Sequence, residues 1–395
     1  MTEPDAVERT GSAWNVVALI ATLALAAVVA VVAVTRSDDR PVSEPTPDAS
    51  SPSPSPSPST PGGLNGTGPY LVYELAGTVF GFDLASGETT SLGVIDGAPV
   101  SGRSEQPDAG TVIAFPTRTG DVYRVTRGGL GRVTTIVAEA GTGFDGSALS
   151  KDDKRLATAM VTKEHALVIV ELETGRTTVL DRSRRGTYPA QPLVPVGWSV
   201  GGSLVYQVPF CVCDTIDDGL YVFDLAAERS TAVDAARTAR FEDFVISPEG
   251  QAVTYGTGTD HRCRSGEPKP CTGPPYSLRS IAAGRRGSSV LRRSSDESFA
   301  PLTSSLDGGL LIVQRKDAAG KTSFDLFTAA GDPASGSILR GIPADSTVLA
   351  LLLDDVVVVQ TGGGELLAVR RGKSTSVAVP TDAGRAGLRY LGWLR

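Results

Sequence analysis

Histidine is almost missing from this chain: His165 and His261 are the only two in 395 residues. A Ser-His-Asp triad would have to run through His261, and no G-x-S-x-G nucleophile elbow is present. An excess of positive charge is missing too. Lys and Arg number 37 against 44 Asp and Glu, a net charge of −7. That argues against a general nucleic-acid binder, which carries a basic stripe. From residue 70 onward there is no amphipathic helical run of ten or more residues, so a helical bundle is excluded. Cysteine is scarce, and its four copies fall in two short stretches considered below.

One long hydrophobic run is present. Residues 14–34, from Trp14 to Val34, read "WNVVALIATLALAAVVAVVAV", carry no charge, and have about the length a helix needs to cross a bilayer. The run is longer than a secretory h-region and lacks a clear cleavage site beyond it. We read it as an uncleaved signal anchor behind a stub at residues 1–13. Residues 35–69 contain "SEPTPDASSPSPSPSPSTPGG", where alternating proline removes every second N–H and forbids helix or sheet ladder. Such a stalk reaches on the order of 100 Å at about 3.1 Å per residue. Arg9 before the span and Arg36 and Arg40 after it tilt the positive-inside rule weakly towards a cytoplasmic C-terminus. The stalk and the cysteines point the other way, to an extracytoplasmic domain and a cytoplasmic stub.

Residues 70–395 repeat themselves. One phrase recurs as "FDGSALSKDDKRLATAMV" (144–161), "LVPVGWSVGGSLVYQV" (193–208), "FEDFVISPEGQAVTYG" (241–256) and "FAPLTSSLDGGLLIVQR" (299–315). Each is strand, small polar turn, strand. A second phrase alternates with it: "GTVFGFDLASGETTSL" (77–92), "HALVIVELETGRTTVL" (165–180), "GLYVFDLAAERSTAV" (219–233) and "GGELLAVRRGKSTSVAV" (363–379). Together they make a four-stranded antiparallel unit, A-B-C-D. Strand A starts near Ala98, Gly143, Leu193, Phe241, Ser298, Thr347 and Gly387, a spacing of propeller blades. The expected fold is all-β: a seven-bladed β-propeller of four-stranded antiparallel blades, with six or eight blades as alternatives. The final "RYLGWLR" matches strand A alone, while the domain opens on B, C and D ("YLVYEL", "TVFGFDL", "ETTSL"). The two chain ends should therefore share one blade and close the ring.

The turns "SPEGQAVTYG" (247–256), "SKDDKRLATA" (150–159) and "SLDGGLLIV" (305–313) resemble the Ser-Pro-Asp-Gly turn of TolB-type β-propellers, which are similar in shape to WD-repeat propellers. No copy here keeps all four residues. The resemblance implies the fold and leaves function open, because that family includes protein-binding scaffolds and non-catalytic domains of peptidases.

In such a ring the A–B and C–D turns share one face, and the B–C and D–A connections the other. Length concentrates on the second face: "PFCVCDTIDDG" (209–219), "TGTDHRCRSGEPKPCTGPP" (257–275), "DRSRRGTYPAQ" (181–191) and "DAARTAR" (234–240). Long loops on a rigid scaffold carry binding. The candidate binding residues are Phe210, Asp214, Asp217, Asp218, Asp260, His261, Arg262, Arg264, Lys269, Arg184, Arg185 and Tyr188. Cys211, Cys213, Cys263 and Cys271 lie in the two B–C loops, and their even count points to disulfides and an oxidising compartment. A Cys211–Cys213 bond would be strained, which leaves two cross-blade pairings. A zinc site is the rival, but Cys-x-Cys is not the usual knuckle spacing.

Other motifs dissolve on inspection. "GTGFDG" (141–146) matches a dinucleotide loop but opens a strand, not a helix. Asp152-Asp153 and Asp354-Asp355 belong to A–B turns, where Asp supports the turn. The Arg pairs at 184–185, 285–286, 292–293 and 370–371 read as solvated faces. Trp198 and Trp393 share one strand-A position and read as packing. The expectation is a non-catalytic scaffold or sensor that binds an envelope protein or wall polymer, with no cofactor and no metal. Its alternative is a hydrolase or lactonase working in the propeller channel. Tyr70 begins strand B on the tight-turn face, so the stalk should attach there and the long loops face away from the membrane.

Overall fold

The computed structural model describes residues 62–100, 102, 112–162, 165–182, 193–208, 219–233, 244–247, 250–260, 272–282, 287–305, 307–352, 355–377 and 387–395. The anchor, the stub and the stalk up to residue 61 lie outside them. Among the described residues no helix is long and apolar enough to cross a membrane.

Seven antiparallel sheets are present, five of four strands and two of three. Blade one holds β1 (Tyr70–Leu75), β2 (Thr78–Asp83), β3 (Thr89–Val94) and, as its inner strand, β26 (Arg389–Leu394). Blade two holds β4 (Ile113–Pro116), β5 (Asp121–Thr126) and β6 (Gly129–Thr135). Blade three is β7 (Gly143–Leu149), β8 (Arg155–Val161), β9 (Ala166–Glu171) and β10 (Thr177–Arg182). Blade four is β11 (Val194–Trp198), β12 (Leu204–Val208), β13 (Gly219–Asp224) and β14 (Arg229–Ala232). Blade five is β15 (Phe244–Ile246), β16 (Ala252–Asp260), β17 (Thr272–Ala282) and β18 (Ser289–Ser294). Blade six is β19 (Glu297–Ser304), β20 (Leu310–Asp317) and β21 (Thr322–Thr328). Blade seven is β22 (Thr347–Leu351), β23 (Val356–Gln360), β24 (Leu366–Arg370) and β25 (Lys373–Ser376).

Two blades depart from the expected four strands. In blade two the described part of the inner strand is a single bridge between Pro99 and Thr117, held by the Val100 N–H to the Pro116 carbonyl (3.1 Å) and the Arg118 N–H to the Ala98 carbonyl (2.8 Å); residues 101 and 103–111 lie outside the described residues. In blade six the outer strand gives way to a 3₁₀ turn, Gly336–Leu339, behind a bridge between Phe327 and Pro333. Ile338 of that turn is buried against the core that blade six shares with blade seven.

The A–B turns show why the repeat is readable. Ser150, Ser199, Ser247 and Ser305 each start one, and their hydroxyls accept N–H bonds from Arg155 (2.9 Å), Ser203 (3.2 Å), Ala252 (3.0 Å) and Leu310 (2.9 Å). Three residues after each start the backbone turns left-handed: Asp153 (φ 55°), Gly202 (77°), Gly250 (65°) and Gly308 (68°). Asp355 (φ 60°) holds the matching place in blade seven. Only Gly, Asp and Asn take that conformation at low cost, which selects the turn residues. Asp152 and Asp307 reach back to the turn: the Ser150 hydroxyl donates to Asp152 at 2.7 Å and the Ser305 hydroxyl to Asp307 at 2.5 Å. The Ser305 hydroxyl, with the Gly309 N–H, holds the Asp307 carboxyl below its ordinary pKa.

The ring closes as expected. β26 pairs antiparallel with β1, Trp393 opposite Leu71 and Leu394 opposite Tyr70. Leu388, Leu391, Trp393 and Leu394 are all buried, in the cores on either side of blade one. One guanidinium then ties both ends of the domain to blade two. Arg127, in the β5–β6 turn, donates to the carbonyls of Gly66 (2.5 Å), Gly68 (2.9 Å) and Arg395 (2.7 Å) and lies over the Tyr70 ring at 5.4 Å. Its own carbonyl accepts the Leu64 N–H at 2.8 Å. The turn that makes these bonds is a C–D turn, so the chain enters the ring on the A–B/C–D face.

Trp198 and Trp393 are packing residues. Both are buried, and Trp198 Nε1 donates to the Ala148 carbonyl at 2.9 Å. The "GTGFDG" motif runs into β7 and opens no helix. Arg292, Arg293, Arg370 and Arg371 are exposed, as solvated faces should be.

Candidate functional site at the axial cavity

Inner strands of five blades carry an extra residue at one height: Leu391, Gly146, Val196, Leu302 and Leu349. Each bulge bends its strand and re-aims the side chains before it. These strands surround the axis, and five blades (one, two, three, six and seven) line a cavity of about 790 Å³ there. That volume is within the range of about 300–1,000 Å³ typical of small-molecule sites.

The lining is chemically divided. Blades one to three contribute Arg389 and Tyr390, Arg118, and Asp145. Blades six and seven contribute Thr303, Ser304 and Gln360. Leu302, Leu349, Leu351 and Leu391 supply apolar wall between. Arg118 sits in the β4–β5 turn, Asp145 and Arg389 at the starts of inner strands, and Gln360 at the end of β23. All four positions belong to the B–C/D–A face, so the cavity reaches that face.

The charged groups are held differently. Arg389 Nη1 lies 3.8 Å from Oε2 of Glu74, whose side chain is 5% exposed. Glu74 Oε1 accepts the Gly77 N–H at 2.7 Å. Arg118 and Asp145 are exposed, and Arg118 is fixed at its backbone by an N–H bond to the Ala98 carbonyl at 2.8 Å. Beside Asp145, His165 precedes β9; burial lowers its pKa, against the opposite pull of Asp145, and keeps the imidazole neutral at pH 7. His165 Nδ1, Thr142 Oγ1 and Glu74 Oε2 are buried with no hydrogen-bond partner. Buried polar atoms without a hydrogen-bond partner are uncommon, and Glu74 Oε2 has the Arg389 charge beside it instead.

Blades five and six extend upward on this same face. β16 and β17 run nine and eleven residues, and Thr259 still pairs with Gly273 and Asp260 with Thr272. The two ends of the stretch 257–275, expected as one loop, are therefore strand, 257–260 closing β16 and 272–275 opening β17, and residues 261–271 between them lie outside the described residues. Thr257 and Thr259 favour extension, while Gly256, Gly258 and Asp260 read as loop, which is why the strand was not expected there. A Cβ on Gly256 would stand 1.8 Å from the Phe299 carbonyl, so the arm lies directly against β19. β19 and β20 also run long, pairing from Glu297–Asp317 down. Arg315 ion-pairs with both Glu297 and Asp325 and ties the top of blade six together.

Of the residues singled out from the sequence, Asp260 is placed, as the last residue of β16. Phe210, Asp214, Asp217, Asp218, His261, Arg262, Arg264, Lys269, Arg184, Arg185, Tyr188 and the four cysteines lie outside the described residues. Sequence reasoning passed over Asp145, Arg118 and Arg389. A signal was present: a charged residue opening an inner strand has the axis as its polar outlet. Among the described residues no group of three or more His, Cys, Asp or Glu is placed to hold a metal.

No protein-family model matches the sequence, and no curated protein does. Solved structures do match. An oligogalacturonate lyase in complex with manganese is 15% identical, with a TM-score of 0.50, over 77% of this chain and 83% of that one. TolB from Agrobacterium tumefaciens is 14% identical over 69% of this chain and 88% of its own, with a TM-score of 0.42. TolB from Acinetobacter baumannii is 13% identical with a TM-score of 0.39, and the match spans 67% of this chain and 61% of that one. At such identities the lyase likeness shows the propeller fold and nothing of its chemistry. The two TolB likenesses are looser, and the fold rests on the seven sheets themselves.

Proposed function

We propose that the chain is a membrane-anchored, extracytoplasmic propeller that binds an envelope protein or a cell-wall polymer without catalysing a reaction. The observation that supports it is an asymmetry between faces. The chain enters on the A–B/C–D face, beside Arg127. The extended strands of blades five and six and the cavity mouth belong to the opposite face. A stalk on the first face would present the second to whatever lies beyond the membrane. The loops at 209–218 and 261–271, with their cysteines, leave from that presented face and would widen its contact area.

The competing reading is a hydrolase or lactonase. Among the described residues Asp145 is the one carboxylate lining the cavity, so a second acid would have to come from elsewhere.

Lysine-directed crosslinking in intact cells, read by mass spectrometry, tests the proposal on the unaltered chain. Lys316 and Lys321 stand on the presented face and Lys154 and Lys373 on the other, all exposed. Partner peptides should appear on Lys316 and Lys321. Partner peptides confined to Lys154 and Lys373 would contradict the proposal, and so would cleavage of a wall polymer by the purified full-length chain.

A further inference from the structure

The cavity's division of charge narrows what it would hold. This inference deepens the binding reading above and rests on it. Arg118 and Arg389 supply cations on blades two and one, and Asp145 supplies an anion on blade three. Arg389 already shares its charge with buried Glu74. Arg118 reaches the cavity from an exposed turn, so a guanidinium fork is presented to it. Such a fork suits a carboxylate bidentately. Asp145, acceptor-only when ionised, suits an ammonium group or several N–H donors. Blade six adds the hydroxyls of Thr303 and Ser304, and Gln360, whose Nε2 donates to the Leu388 carbonyl at 3.2 Å, stands beside Arg389.

We infer that the axial cavity binds a short zwitterionic peptide, one that carries a free carboxylate and a free ammonium group. The carboxylate goes to Arg118 and Arg389 and the ammonium to Asp145, while the peptide backbone takes the hydroxyls of blade six. A purely anionic ligand would leave Asp145 facing like charge, and a purely cationic one would face the two arginines.

The test is calorimetric titration of the purified full-length chain with trialanine, its C-terminal amide and its N-acetyl form. Trialanine should bind saturably, and capping either end should weaken binding by at least about tenfold, the loss of one charge-assisted hydrogen bond set. In Arg118→Gln the penalty on the amide relative to trialanine should shrink, since Arg389 alone then faces the carboxylate. In Asp145→Asn the N-acetyl form should no longer be penalised relative to trialanine. Both variants should unfold at the parent temperature, because both side chains are exposed. Equal binding of all three peptides, a penalty from one cap only, or no saturable binding of trialanine overturns the inference. None of those results would move the lysine crosslinks, so the broader binding reading fails or stands separately.

Discussion

The two faces of this propeller are built on different rules. On the A–B/C–D face, four blades use the same serine-initiated turn with a left-handed residue at the same place. Blade seven keeps the left-handed residue, Asp355, with Leu352 in the serine's place. The B–C/D–A face has no shared turn. It holds a tight β1–β2 connection, a long β16–β17 arm, and an axial mouth with charge on one side. Repetition marks the face that makes the ring, and divergence marks the face free to recognise something.

If that division holds, damage to the first face should cost stability and damage to the second should cost binding. The largest effect should come from the latch. Deleting Leu388–Arg395 removes four buried apolar side chains, each worth about 1.5–3 kcal/mol. The sum rivals the entire net stability of about 5–15 kcal/mol usual for a domain. The truncated chain should fail to fold, and Trp393→Ala, a milder cut, should lose about 3–5 kcal/mol in denaturant unfolding. A truncated chain with the parent's unfolding midpoint would break the closure argument.

Next is Gly256→Ala. Its new Cβ meets backbone, not a yielding side chain, so the arm must shift away from β19. About 1–3 kcal/mol should be lost, and partner crosslinks at Lys316 and Lys321 should fall with it. This variant probes where the two rules meet, because a structural contact there positions the recognising face. Arg127→Ala should cost about 1–2 kcal/mol by freeing both chain ends, with crosslinking retained. Arg127→Lys should not restore it, since an ammonium cannot span three carbonyls as the fork does.

The smallest effect is at Asp307. Its folded-state pKa is depressed by the Ser305 hydroxyl and the Gly309 N–H, so its contribution is present above the unfolded carboxyl pKa of about 3.9 and fades as pH falls through the lower folded value. The group is exposed and solvent-screened. Asp307→Ala should therefore shift stability by under about 0.5 kcal/mol at neutral pH and by less at pH 2. A larger loss at pH 2 than at pH 7 would reverse the sign worked out here.

What could be read from sequence follows the same division. The strand-A starts, the latch and the turn chemistry were legible because a left-handed residue and a serine hydroxyl impose a pattern. The 3₁₀ turn at Gly336–Leu339 was not, since a short irregular segment can replace a strand with no change in spacing. The cavity was less legible still. Arg118, Asp145 and Arg389 are 271 residues apart at the extremes and share no motif; the closure of the ring gathers them. The motif at Asp145, "GTGFDG", reads from sequence as the opening of a strand, and it runs into β7.

One measurement separates the two faces most directly: a photo-reactive residue placed singly at Thr119, beside Arg118, and singly at Ser86, in the β2–β3 turn, both exposed, in the full-length chain in its native membrane. The account predicts a partner adduct from Thr119 and none from Ser86. An adduct from Ser86 alone would mean that the repeated face, not the divergent one, does the recognising.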